Sequence, residues 1–224
     1  EACARLGVRF LEAVLDANRW PLPAIDRAAH ATRKIGLGVM GLADAFVKLD
    51  LPYASEAAVT TAGRIMEHVR RAADAESAHL AEERGPFPAW EWSALRQRGG
   101  PPMRHATRTT VAPTGTLSIL AGCSSGIEPL FAVAYVRRVL DGSELPEVHP
   151  GFVAELERRG IAVEPVLERV LASGRLADVS ELPDDLRARF MTALDVAPEW
   201  HVRMQAEVQR HTDNAVSKTV HLPE

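Results

Sequence analysis

Aromatic residues are scarce, cysteines fewer still, and long apolar runs are missing; each shortage closes off a class of protein. Phe, Trp and Tyr make up 5% of the 224 residues. A core must therefore be built from Ala, Leu and Val, which favours helices and buried parallel strands over an all-β sandwich. Two cysteines, Cys3 and Cys123, cannot make a disulfide framework, and free buried thiols in a reducing cytoplasm are the expectation. No stretch of 18 apolar residues occurs, so no membrane partner is expected. A net charge of −4 removes the electrostatic case for a nucleic-acid partner, and the pairs Arg70–Arg71 and Arg137–Arg138 are too short to restore it. The eight histidines show no ligand spacing, so no metal site is expected. No Met opens the chain and no leader-like segment follows Glu1-Ala2-Cys3, so further sequence is expected upstream.

What is present is the composition of a globular protein, 46% hydrophobic and 25% charged, long enough over 1–224 for one large domain or a domain plus a subdomain. Leu6, Phe10, Leu11, Val14 and Leu15 recur at helical spacing and predict a helix over 2–17. Pro21 and Pro23 break it. A short helix over 24–33 follows, then the apolar, glycine-rich stretch Lys34–Gly41, read as a buried strand and turn, then a helix over 42–49. Ser55 is a good N-cap for a helix running to Arg84 and stopped by Gly85-Pro86. Its apolar positions are Val59, Ala62, Ile65, Met66, Val69 and Ala73; Glu67, Arg70, Arg71, Asp74 and Glu76 form its polar side. Thr107–Val111 is β-branched and reads as a strand, Ile127–Tyr135 as an extended stretch, and 142–190 as a helical excursion punctuated by Pro and Gly. Glu199–His211 predicts a helix with Pro198 in its first turn, and Ala215–Leu222 a closing strand. Strands alternating with helices predict an α/β fold with parallel strands.

Two loops attract chemical interest. The segment Ala112-Pro113-Thr114-Gly115-Thr116-Leu117-Ser118 follows a strand. Gly115 is expected to let the backbone turn, leaving main-chain N–H groups open, with hydroxyls from Thr114, Thr116 and Ser118 beside them. A helix starting here would favour an anion, so the segment reads either as a phosphate cradle or as an ordinary capping turn. The small-residue loop Gly122-Cys123-Ser124-Ser125-Gly126-Ile127-Glu128-Pro129 allows close approach of a backbone or a ligand. Cys123 has no His nearby in sequence to activate it, and Glu128 suits a surface or a pocket equally. Gly36-Leu37-Gly38-Val39-Met40-Gly41 matches the dinucleotide-binding glycine pattern, but no second strand carries the acidic residue that pattern requires about 20 positions on. Close strand–helix packing explains those glycines. His201 and Arg203 are expected to be solvated or salt-bridged on their helix.

Taken together, these segments resemble the cobalamin-dependent (class II) ribonucleotide reductases. The resemblance runs through Arg33–Gly41, Glu83–Pro88, Ala112–Thr116, Gly122–Phe131, Arg137-Arg138-Val139-Leu140-Asp141-Gly142, Pro198–Gln205 and Asp213–Thr219, in consistent order along the chain. It implies a ten-stranded α/β barrel made of two five-stranded parallel halves, of which this chain would supply much of the second, with a helical excursion. It implies that Pro113–Ser118 binds the phosphates of a ribonucleotide substrate and that Gly122–Pro129 lies near the substrate pocket. It implies adenosylcobalamin as cofactor, a thioredoxin-like reductant, a cytoplasmic location and a homodimer as an admissible assembly.

The family's chemistry rests on a thiyl radical that abstracts the ribose 3′ hydrogen, while a cysteine pair supplies reducing equivalents as the 2′ hydroxyl leaves. The radical cysteine sits in an Asn-x-Cys-x-Glu motif. The two asparagines here, Asn18 and Asn214, do not precede a cysteine at that spacing. Cys3, with Glu1 two before it and Arg5 two after, is not that residue. No catalytic residue is therefore expected in this chain, nor are the family's C-terminal shuttle cysteines present. The Asp-x-His-x-x-Gly cobalamin signature is absent too; this family does without it. The alternatives are the barrel of a metal-dependent (class I) large subunit and a non-catalytic nucleotide-binding module.

Overall fold

A computed structural model describes residues 1–138 and 144–222, with backbone alone for 137, 138 and 144–146. Part of the resemblance motif around Arg137, from Val139 onward, lies outside the described residues. The chain divides into two compact units. The first holds Glu1–Val39, Ala62–Ala112 and Ala206–Ser217; the second holds Met40–Thr61, Pro113–Gln205 and Lys218–Glu224.

In the first unit, helices α1 (Ala2–Ala17) and α2 (Pro23–Thr32) precede three short extended segments that run parallel. The Leu37 and Val111 bridges place the segment through Thr109–Val111 in the middle, with Leu37 on one side and Val216 on the other. Backbone bonds complete the ladder: Leu37 N–H to Arg108 O at 2.7 Å, Thr110 N–H to Leu37 O at 3.0 Å, Ser217 N–H to Val111 O at 2.9 Å. The expected closing strand pairs only as far as Ser217, and its remainder is irregular. A Cβ on Gly36 would lie 2.3 Å from Thr110 Cγ2, and one on Gly38 2.2 Å from Thr110 O. The glycine pattern thus serves strand-to-strand approach, where strand–helix packing was expected.

The buried face of helix α1 is rotated from the one its apolar spacing selects, sharing with it Leu15 and the half-buried Leu11. Val8, Glu12 and Leu15 are buried, whereas Leu6 and Phe10 are 69% and 65% exposed. Glu12, 1% exposed, is drawn inward by cations. Its carboxylate accepts from Arg33 Nε at 3.1 Å and Arg104 Nε at 2.7 Å, and lies 2.9 Å from His105 Nε2. Burial opposes its charge, but these partners outweigh it and hold its pKa down at about 2. A third helix of this unit, the long α4, spans Glu56–Arg84 and begins in the second unit, and the short α5 (Ala94–Gln97) follows it. Glu76, placed on its polar side by spacing, is buried and pairs with Arg9. Cys3 is exposed rather than buried.

The second unit contains α3 (Leu42–Lys48), α6 (Gly115–Ala121) and an antiparallel hairpin of β1 (Ala134–Arg138) and β2 (Glu144–Val148). Helices α7 (Pro150–Arg158), α8 (Val163–Ser173) and α9 (Asp184–Arg189) follow, and α10 (Pro198–Gln209) leads back into the first unit. The excursion from 142 to 190 is therefore not wholly helical: residues 144–148 are a strand. Pro146, taken as a helix breaker, pairs with Val136 across the hairpin; in a two-stranded sheet both strands are edges, where a missing N–H is tolerated. The core here is Phe46, Phe152, Leu156, Leu186 and Phe190, with the Phe152 and Phe190 rings edge to face at 5.1 Å. A parallel bridge joins Leu130 to Thr192.

Candidate functional site

The residues singled out in Pro113–Ser118 and Gly122–Pro129 lie in the second unit; Ala112 falls at the end of the first. The turn into α6 differs from expectation in one respect. The residue with left-handed backbone is Thr114, at φ 51°, not Gly115, which is already the first helical residue. A non-glycine in this conformation costs on the order of 1 kcal/mol. The loop opposite supports it, because Gly126 N–H donates to Thr114 Oγ1 at 3.0 Å.

Of the three hydroxyls expected to face a ligand, two are engaged internally. Thr114 Oγ1 accepts from Gly126, and the buried Ser118 donates to Gly115 O at 2.8 Å while its Oγ lies 2.7 Å from Ser125 Oγ. Thr116 is exposed. The backbone N–H groups of Gly115, Thr116 and Leu117, in the first turn of α6, have no acceptor among the described residues. All three residues are exposed, and a Cβ on Gly115 would meet nothing within 4 Å. The turn thus presents three open N–H donors and one hydroxyl over clear space.

The second loop is packed against the first and tied down at several points. Ser124 O accepts from Gly41 N–H at 2.8 Å, and Ser124 N–H donates to Asp44 Oδ2 at 2.7 Å. Asp44 Oδ1 lies 3.3 Å from His149 Nε2. Burial opposes the Asp44 charge; the His149 and Ser124 contacts outweigh it and lower its pKa to about 2. His149 also caps α7 by accepting from Phe152 N–H. Cys123 is a free, half-buried thiol whose pKa is raised by burial and by the Asp44 charge, the reverse of an activated nucleophile.

Further along, Tyr53 OH donates to Ile127 O at 2.6 Å. Glu128 turns out to be half-buried and ion-paired with Lys218. The Lys218 ammonium also donates to His201 Nδ1 and to Thr219 O, each at 2.8 Å. His201 is 0% exposed, against the expectation of a solvated or salt-bridged helix position. Arg203, two residues on, pairs with Glu56 and stacks over Trp200, as a helix face about 200° away allows. Burial lowers the pKa of both His201 and Lys218, with Glu128 opposing the fall for Lys218. Asp44, Tyr53 and His149 had no periodicity or motif to reveal them, although His149, just before Pro150, carried a hint as a cap; His201 and Lys218 lay within the resemblance segments Pro198–Gln205 and Asp213–Thr219 but carried no assigned role. Among the described residues no three of His, Cys, Asp and Glu gather as a metal site, and no helix is long and apolar enough to cross a membrane.

The family model for the ribonucleotide reductase barrel domain matches residues 1–99 and 89–224. A vitamin B12-dependent ribonucleoside-diphosphate reductase of Mycobacterium tuberculosis (strain CDC 1551 / Oshkosh) is 48% identical over 223 residues, covering 100% of this chain and 32% of that protein. A reductase of the same name from Thermoplasma acidophilum is 46% identical over 96% of this chain and 28% of its own length. The ribonucleoside-diphosphate reductase large subunit of Danio rerio is 27% identical over 97% of the chain. The solved alpha subunit of the Actinobacillus ureae class Id ribonucleotide reductase superposes with a TM-score of 0.78 at 21% identity, over 94% of this chain and 38% of that one. The chain thus spans about a third of the length of the curated relatives it matches, and its fold is part of the reductase α/β barrel. On the match of the family model along its whole length, the chain belongs to the ribonucleotide reductase barrel-domain family.

Proposed function

We propose that this chain is the part of an adenosylcobalamin-dependent ribonucleotide reductase that seats the substrate's phosphates, at the turn Pro113–Ser118. The observation that carries the reading is the set of three open N–H groups on Gly115, Thr116 and Leu117, exposed and without acceptors. A phosphate takes such donors directly. Because α6 has only seven residues, the N–H groups and the Thr116 hydroxyl, rather than a helix dipole, carry the affinity. Their role is to bind and orient the nucleotide while the Gly122–Pro129 loop forms the floor behind them.

The test is Gly115→Val in the complete reductase polypeptide. The branched side chain meets no protein atom near its Cβ, so it crowds the ligand and spares the fold. Affinity for cytidine diphosphate should fall about tenfold, equivalent to about 1.4 kcal/mol, with the melting temperature unchanged. Unaltered affinity would remove the site.

The cobalamin dependence follows the relatives at 46% and 48% identity, against 27% for the large subunit. When bound, adenosylcobalamin supplies the radical initiator. Its cobalt is carried by the corrin ring, and no residue of this chain is assigned to hold the cofactor. The decisive experiment is reconstitution: adenosylcobalamin alone should support nucleotide reduction by the complete protein, and a requirement for a separate radical-generating subunit would transfer the chain to the class I reading. A ribonucleoside diphosphate substrate, a thioredoxin-like reductant, a homodimeric assembly and a cytoplasmic setting belong to the same reading. The free Cys3 and Cys123 suit that reducing setting.

A further inference from the structure

We propose that the Glu128–Lys218 ion pair is a positioning latch for the anion-binding turn, an inference that rests on the phosphate reading above. Lys218 has a side chain 2% exposed, and its three ammonium protons have three acceptors: Glu128, His201 Nδ1 and Thr219 O. The other Glu128 oxygen accepts from Thr219 N–H at 2.8 Å. Residues 218–219 therefore grip one carboxylate from two sides.

That carboxylate sits where the loop couples to the turn. Glu128 N–H donates to Ser125 O at 2.8 Å, closing the small turn that contains Gly126. From this turn leave the two hydrogen bonds that reach the anion-binding segment, Gly126 N–H to Thr114 Oγ1 at 3.0 Å and Ser125 Oγ to Ser118 Oγ at 2.7 Å. The first of them supports Thr114 in its left-handed conformation, and that conformation sets where the free N–H groups point. With the Lys218 end buried and Glu128 half-buried, desolvation offsets much of the pair's attraction, so it fixes geometry better than it holds a fold together. Lys218 acts on the phosphate through Glu128 and the loop, so it is a positioning residue and not a catalytic one.

Latch and bare charge predict opposite outcomes for one substitution. Glu128→Gln removes a negative charge from the neighbourhood of an anion site, so charge alone predicts tighter nucleotide binding. A latch predicts weaker binding. In the complete polypeptide, cytidine diphosphate and cytidine are titrated against the unaltered protein, Glu128→Gln, Lys218→Met and the double variant, with Gly115→Val as control. We expect each single change to weaken diphosphate binding about fivefold, the double variant to be no weaker than the worse single, and cytidine binding to be unmoved. Tighter or unchanged diphosphate binding in Glu128→Gln, with Gly115→Val still weakened, overturns the latch alone. If Gly115→Val is also unaffected, the phosphate site itself is wrong. Additive losses, or equal losses for cytidine, likewise overturn the latch by showing general loosening. Should Lys218→Met fail to fold, Glu128→Gln decides the matter by itself.

Discussion

Thr110 is the residue on which two glycines depend, in two different ways. Gly36 faces its methyl, Cγ2, and Gly38 faces its carbonyl oxygen. The distinction predicts a rescue pattern. Gly36→Ala and Gly38→Ala should each destabilise by about 2 kcal/mol or more, as overpacking against a stiff β-branched neighbour or a backbone does. Thr110→Ser removes the methyl but keeps the hydroxyl that donates to Ala215 O, so it should restore most of the loss in Gly36→Ala and none in Gly38→Ala. Chemical denaturation of the four variants reads both outcomes; equal rescue of both would show that the backbone yields instead. At this scale the sequence was readable for residue type and misleading for cause. The glycines were visible, yet nothing in a linear string says that Thr110, more than 70 positions away, is what they make room for. The same applies to Thr114, where the expected flexible Gly115 was one position off because a cross-loop hydrogen bond sustains a β-branched residue in its place.

Helix α1 shows the limit of periodicity at the scale of elements. Its existence and bounds follow from apolar spacing, but its buried face is Val8, Glu12 and Leu15, one acidic residue among two apolar ones. Charge complementarity with Arg33 and Arg104, together with the contact to His105, decided the orientation, and those partners are distant in sequence. The consequence is a specific acid sensitivity. Glu12 has a folded pKa of about 2 against an ordinary 4.5, so its stabilisation is complete above pH 4.5 and is lost as pH falls towards 2. The difference corresponds to about 3 kcal/mol. Glu12→Gln should therefore flatten the acid limb of a stability-versus-pH curve measured by circular dichroism, and should lower stability at neutral pH by about 3 kcal/mol, because two guanidinium groups lose their anion. An unaltered acid limb would show that other carboxylates govern it. The hairpin was hidden for a related reason: Pro146 signals a break in any local reading, and only its edge position makes it acceptable in β2.

For the molecule as a whole, the family was legible in the order of its motifs, whereas the division into two units was not. Two of the five boundaries fall inside α4 and α10, where composition does not change. The chemistry attributed to the family needs a cysteine in an Asn-x-Cys-x-Glu motif, which these 224 residues do not contain. The polypeptide of this sequence, supplied with nucleotide, adenosylcobalamin and a dithiol, should form no deoxynucleotide; product by chromatography would refute the assignment of roles.

The parallel ladder of the first unit also bears on how the chain is made. Leu37 finds its partner only at Thr109, and Val111 finds its outer neighbour only at Val216. Partners this far apart give slow folding. At about 5–20 residues per second of synthesis, the Leu37 edge waits roughly 4 to 14 seconds on the ribosome before Thr109 exists to cover it. During that interval Gly36 and Gly38 keep the waiting edge short of side chains, which makes it a poor template for a stray strand as well as a good fit for the right one.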